Sequence, residues 1–144
     1  MKNAEPKHPF RRRRILVVED TVDIAESLVM ILEQQGHEVQ WASNGPTALR
    51  IVEQSPPDVV LLDIGLPAMN GYEVARRLRE MPGGEDITII ALSGYGQEKD
   101  IQHGKRVGFD LFLVKPCDVD RIEEAVVSTV HTRGGAPDAE GVGQ

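Results

Sequence analysis

The stretch Val59-Val60-Leu61-Leu62-Asp63-Ile64-Gly65-Leu66-Pro67-Ala68-Met69-Asn70-Gly71 decides the fold. Four consecutive branched aliphatic residues without polar alternation predict a strand buried on both faces, as in a parallel sheet covered by helices. The run stops on a carboxylate, Asp63. After a short loop, Tyr72, Val74, Ala75 and Leu78 recur at helical spacing until Pro82-Gly83-Gly84 ends them.

Outward from this unit the pattern repeats. Ile15-Leu16-Val17-Val18, Ile87-Thr88-Ile89-Ile90-Ala91-Leu92 and Leu111-Phe112-Leu113-Val114 read as core strands, and His37 to Ala42 alternates around Val39 and Trp41 as a half-covered edge strand would. Ile24, Leu28, Ile31 and Leu32 form a helical stripe closed by Gly36, the usual residue just past a helix end. Ala48, Leu49 and Val52 predict a shorter helix halted by Pro56-Pro57. Val119, Ile122, Val126 and Val130 predict a last one reaching about Thr132. Between Gln97 and Val107 only Ile101 and Val107 are apolar and Gly104 interrupts, which predicts a marginal, mobile helix. Strands alternating with helices five times imply an α/β domain with a parallel sheet, helices on both faces and right-handed crossovers.

Composition narrows the function. The chain has 144 residues with a net charge of −7, but residues 1–14 hold six of its 16 basic residues and one of its 23 acidic ones. The remainder carries 22 acids against ten bases, a balance that disfavours nucleic acid or anionic membrane as the main partner. Arg11 to Arg14 are expected to form part of a flexible, solvated basic arm over 1–14, and the glycine-rich residues 133–144 a flexible tail around a single domain at 15–132. One cysteine, Cys117, excludes an internal disulfide and a multi-thiolate zinc site and fits a reducing, cytoplasmic setting. No apolar run approaches the roughly 20 residues of a membrane helix. The four residues after the arginines are also too few for a signal peptide. His8, His37, His103 and His131 lack metal-ligand spacing and are expected to face solvent.

The chemistry lies just past the strands. In a parallel sheet all strand C-termini share one edge, where ligands of open α/β sheets bind. Four strands deliver Glu19-Asp20, Asp63, Ser93 and Lys115 there. Clustered carboxylates repel unless a cation joins them. Mg²⁺ takes one or two carboxylates, several waters and a phosphate oxygen, so the set suits Mg²⁺ with a phosphoryl group. Lys115 and the Ser93 hydroxyl would engage its oxygens. As alternatives, Asp20 or Thr21 would only cap the first helix, Lys115 would only pair with a buried acid, and Phe112 would be plain core.

Val17-Val18-Glu19-Asp20, Leu61-Leu62-Asp63 through Asn70-Gly71, Ala91-Leu92-Ser93-Gly94-Tyr95 and Val114-Lys115-Pro116 stand in an order and spacing that resemble the receiver domain of two-component response regulators. The resemblance covers about residues 15 to 132. It implies a flavodoxin-like, doubly wound domain with a five-stranded parallel sheet of order 2-1-3-4-5 and five helices. It further implies that Asp63 is the phosphoacceptor. Mg²⁺ (or Mn²⁺) would be held by Asp20, Asp63 and the Gly65 carbonyl, with Glu19 acting through water. Lys115 binds phosphate, Ser93 and Phe112 are the hydroxyl and aromatic switch residues, and the bond before Pro116 is cis. Gly65 and Tyr95 occupy places that tune dephosphorylation.

The implied activity is that of a stand-alone, CheY-like signalling phosphoacceptor that catalyses only its own modification and its reversal. Its phosphoryl donor would be a histidine kinase or histidine phosphotransfer protein. Effector proteins would read the face made by the fourth helix, fifth strand and last helix, with no DNA-binding domain and no membrane partner. The domain would be a monomer or a phosphorylation-dependent dimer. A Mg²⁺-dependent phosphatase of haloacid-dehalogenase type also uses an aspartyl nucleophile but needs a second Asp where Gly65 stands, so it lacks its proton donor here. A flavodoxin-type cofactor binder needs backbone or hydroxyl donors after the first strand, where Glu19-Asp20 would repel phosphate.

Overall fold

The computed structural model describes residues 12–94, 107–115 and 118–128. The chain runs β1 (Arg14–Val18), α1 (Val22–Gln34), β2 (Glu38–Ala42), α2 (Gly45–Gln54), β3 (Val59–Asp63), α3 (Gly71–Glu80), a 3₁₀ turn (Gly84–Asp86), β4 (Thr88–Ser93), β5 (Leu111–Val114) and α4 (Val119–Ser128). The five strands form one sheet in the order β2-β1-β3-β4-β5, every pair parallel, as the resemblance implied. Four α-helices stand among the described residues. The helix expected between Gln97 and Val107 lies outside them save for Val107, as do Tyr95, Pro116 and Cys117.

The apolar strand runs are continuous because the pleat sends alternate residues to two cores. Leu16, Val18, Val60, Leu62, Ile89 and Ala91 pack with Ala48 and Val52 of α2 and Val74, Ala75 and Leu78 of α3. Their neighbours Ile15, Val17, Val59, Leu61, Ile90, Leu92 and Leu113 pack with Leu28 and Leu32 of α1 and Ile122, Ala125 and Val126 of α4. At roughly 1.5–3 kcal/mol for each fully buried aliphatic side chain, these two layers dominate the stability.

Side-chain caps set the helix starts. The Asn44 side-chain Oδ1 accepts from the Thr47 amide at 2.8 Å, and Asn70 Oδ1 accepts from the Glu73 amide at 3.1 Å. Asp118 accepts from the Arg121 amide at 2.8 Å ahead of α4. Gly36, at φ 96°, closes α1 in the left-handed region as expected. The α1 stripe is shifted from its expected place: Ala25, Leu28 and Leu32 are buried, while Ile24 is 38% exposed. Ile24 and Ile31 instead line a groove of about 560 Å³ between α1 and α4.

His37 corrects the expectation that the histidines face solvent. It is buried, and its Nδ1 accepts the Arg13 amide at 3.0 Å. Burial and the nearby Arg13 charge lower its pKa below the ordinary value of 6.5. His8, His103 and His131 lie outside the described residues. No helix among the described residues is long and apolar enough to cross a membrane.

Candidate phosphoryl and metal site

β1 and β3 lie side by side, with Val18 opposite Leu62, so the residues that follow them emerge together. Glu19 is completely buried, Asp63 is 7% exposed and Asp20 is exposed. One carboxylate oxygen from each of the three falls within 4.8 Å of the others. Lys115, just beyond β5, places Nζ 3.3 Å from Glu19 Oε1 and 3.3 Å from Asp63 Oδ2. Four of the expected residues are therefore brought together by three strand ends.

Two of the three acids are held by backbone amides. Asp63 Oδ1 accepts the Gly65 amide at 2.9 Å, which leaves Oδ2 turned to Lys115. Glu19 Oε2 accepts the Thr21 amide at 3.2 Å. Burial and then the nearby Asp63 charge raise the Glu19 pKa above 4.5, against the opposing pull of the Thr21 amide and Lys115. A buried acid driven toward its neutral form, in an all-oxygen cluster with an exposed third carboxylate, is a donor set suited to a hard divalent cation. Thr21 stands at the α1 N-cap without a side-chain capping bond, so capping does not explain this loop.

Ser93 ends β4, buried, and its carbonyl accepts the Lys115 amide at 2.7 Å. Among the described residues, a Cβ added to Gly94 would meet nothing within 4 Å, and one on Gly65 would meet only Asp63 Oδ1 at 3.5 Å. Phe112, half-buried, pairs with Ala91 in register and packs on the α2–α3 core. Its ring meets Phe109 edge-on at 5.3 Å, and Phe109 meets Tyr72 at 5.9 Å.

The loop after Asp63 has a rigidity that apolar patterning did not reveal. Ile64 donates its amide to Leu92 and accepts from Gly71 at 3.2 Å, and Leu66 is buried beneath. A Cβ on Gly71 would stand 2.5 Å from the Ile64 Cα, so only glycine closes this loop. Ala68 sits at φ 64°, a left-handed conformation that is uncommon outside glycine. Also unforeseen was Trp41, whose indole reaches the Glu19 carbonyl at 2.8 Å. Alternation gives the face of an edge-strand residue but not its hydrogen-bond partner.

A family model of the response regulator receiver domain matches residues 15–127. The chain is 36% identical over 113 residues to sporulation initiation phosphotransferase F of Bacillus subtilis, covering 78% of this chain and 90% of that protein. It superposes on the solved structure of chemotaxis protein CheY4 of Vibrio cholerae with a TM-score of 0.78 at 27% identity, covering 81% of this chain and 97% of the other. The receiver domain of sensor histidine kinase PA1611 of Pseudomonas aeruginosa has a magnesium ion coordinated in its active-site cleft. It matches with a TM-score of 0.74 at 27% identity, over 81% of this chain and 95% of its own. By fold, by the acids at its strand ends and by these likenesses, the chain belongs to the response regulator receiver family, the signalling phosphoacceptors of two-component systems.

Proposed function

We propose that Asp63 accepts a phosphoryl group from phosphohistidine on a histidine kinase or phosphotransfer protein, within a domain spanning about 15–132. The observation that carries this reading is the meeting of three carboxylates within 4.8 Å, two of them sharing one lysine. A carboxylate oxygen of Asp63 attacks phosphorus in line, the P–O bond forms as the P–N bond breaks, and the donor imidazole leaves. The Gly65 amide orients Asp63 for that attack. Asp20, Asp63 and the Gly65 carbonyl would hold Mg²⁺ (or Mn²⁺), with Glu19 engaged through water. When bound, the ion supplies neutralisation of the charge that gathers on the phosphoryl oxygens. Lys115 would exchange its carboxylate partner for a phosphoryl oxygen, and the Ser93 hydroxyl would donate to another.

The new group then biases a two-state element. Ser93 moves toward it, and Phe112 shifts off its present contact with Phe109. An effector protein reads the altered face around β5 and α4. At Gly65 there is no side chain to align an attacking water. Tyr95, outside the described residues, would cover the acyl phosphate, so the modified state is expected to be long-lived.

Acetyl phosphate or phosphoramidate with Mg²⁺ should add one phosphoryl group by intact mass. Asp63→Asn or EDTA should abolish the addition. Equal labelling of the Asn variant would place the acceptor elsewhere.

A further inference from the structure

Glu19 is held to the edge strand at both ends of its backbone. Its amide donates to the Ala42 carbonyl at 3.1 Å. Its carbonyl accepts Nε1–H of Trp41, the chain's single tryptophan, at 2.8 Å. Two consecutive β2 residues thus fix Glu19, one through the main chain and one through a side chain. The carbonyl belongs to the peptide joining Glu19 to Asp20. Fixing that peptide plane fixes the directions in which both carboxylates leave the backbone.

The packing of β2 does not account for a tryptophan at this position. Val39 packs against one core and Ala42 is buried in the other, whereas Trp41 remains 36% exposed. The indole's directed contact is with the acid-bearing loop. Without that N–H, the carbonyl of a fully buried residue loses its side-chain donor, and the Glu19–Asp20 peptide loses the contact that fixes its plane on the β2 side.

We propose that Trp41 is a positioning residue for the acidic pocket, its indole N–H holding the Glu19–Asp20 peptide so that the two carboxylates meet Asp63 in the arrangement that takes a divalent cation. This rests on the reading of the pocket as a cation site. It adds a residue from the edge strand to a site otherwise built at the ends of the inner strands and beyond β5. It also makes the indole a built-in reporter, because a cation drawing the carboxylates together pulls on the carbonyl to which the indole is bonded.

The test titrates Mg²⁺ into the whole metal-free protein by calorimetry. The wild type is compared with Trp41→Phe and with a protein carrying β-(3-benzothienyl)alanine at position 41, which keeps the indole shape but replaces N–H by sulfur. Both variants should bind Mg²⁺ about fivefold more weakly, the worth of one hydrogen bond. In the wild type, tryptophan emission should change with Mg²⁺ at the same half-point as the heat. The isosteric analogue keeps the test decisive if Trp41→Phe fails to fold. Wild-type affinity in the analogue, or emission that ignores saturating Mg²⁺, overturns the role of Trp41 alone. A wild type that takes up no Mg²⁺ overturns the cation site as well.

Discussion

At the edge of the sheet where the strands begin, the Arg79 guanidinium donates to the carbonyls of Gly84, Ile87 and Gly108 and to the Asp110 carboxylate, at 2.5 to 3.0 Å. Asp110 in turn accepts the Ile89 amide at 2.9 Å. Arg14, expected within the flexible basic arm, instead opens β1 because the pairing with β2 reaches back to it, and it donates its amide to Asp58 and its side chain to Pro56 and Ser55. At the edge where the strands end, three carboxylates crowd within 4.8 Å and share one lysine between two of them. At the first edge Arg79 and Asp110 neutralise each other and the Arg14 side chain has fixed neutral acceptors, while the second carries an acidic excess suited to a cation. The same sheet therefore divides stability and chemistry between its two ends.

Arg79→Ala should strain that division most. The side chain is 13% exposed and its carboxylate partner 17%, so truncation leaves Asp110 and three carbonyls short of donors. A loss of about 3 kcal/mol in urea unfolding is expected, the lower end for breaking a buried pair. Mg²⁺ affinity of the folded variant should stay unchanged, and a weakened affinity would mean the two edges are coupled.

Asp20→Asn probes the other edge and should act in the opposite sense. Without metal it removes one repelling charge and should stabilise by about 1 kcal/mol, taking the interaction near its aqueous limit. In Mg²⁺ the advantage should disappear if Asp20 is the ligand proposed above. Melting curves with EDTA and with Mg²⁺ check both signs, and a less stable variant in EDTA would break the contrast.

The smallest effect is expected at His37, near the Arg14 end. Its folded pKa is lowered by burial and then by Arg13, so the native state prefers the neutral ring. That contribution is complete above the ordinary value of about 6.5 and is lost as pH falls from there through the lowered folded value. His37→Gln should flatten the stability profile on the acid side of pH 6.5, measured by urea unfolding at fixed ionic strength. An unchanged slope would assign the acid sensitivity to other groups.

The strand ends were legible because a run of buried aliphatics that stops on a charge can stop only at the sheet's rim. Val18 before Glu19-Asp20 and Leu62 before Asp63 are such ends, both fully buried, whereas Val114 before Lys115 is 47% exposed on the edge strand β5. Long-range partners were not legible. Arg76, Arg77 and Arg79 look alike in sequence, yet the first two make exposed pairs with Glu73 on their own helix, whereas Arg79 reaches 31 residues ahead to Asp110. The partners of His37 and Trp41 were hidden for the same reason, since Arg13 and Glu19, which flank β1, lie beside them in the fold but more than 20 residues away in the chain.

The alternation of β3 between two cores also governs where the chain can change length. Val60 and Leu62 belong to one core, Val59 and Leu61 to the other, and Asp63 takes its direction from the same pleat. Inserting one residue within this strand would advance the carboxylate by about 3.3 Å and turn it to the opposite face. Every aliphatic beyond the insertion would exchange cores as well. A change of length in the connections at the Arg79 edge would disturb the acceptors of that guanidinium but would not turn a pocket carboxylate to the other face. Within Val59–Asp63 a single insertion would carry the Asp63 carboxylate away from Glu19 and Lys115.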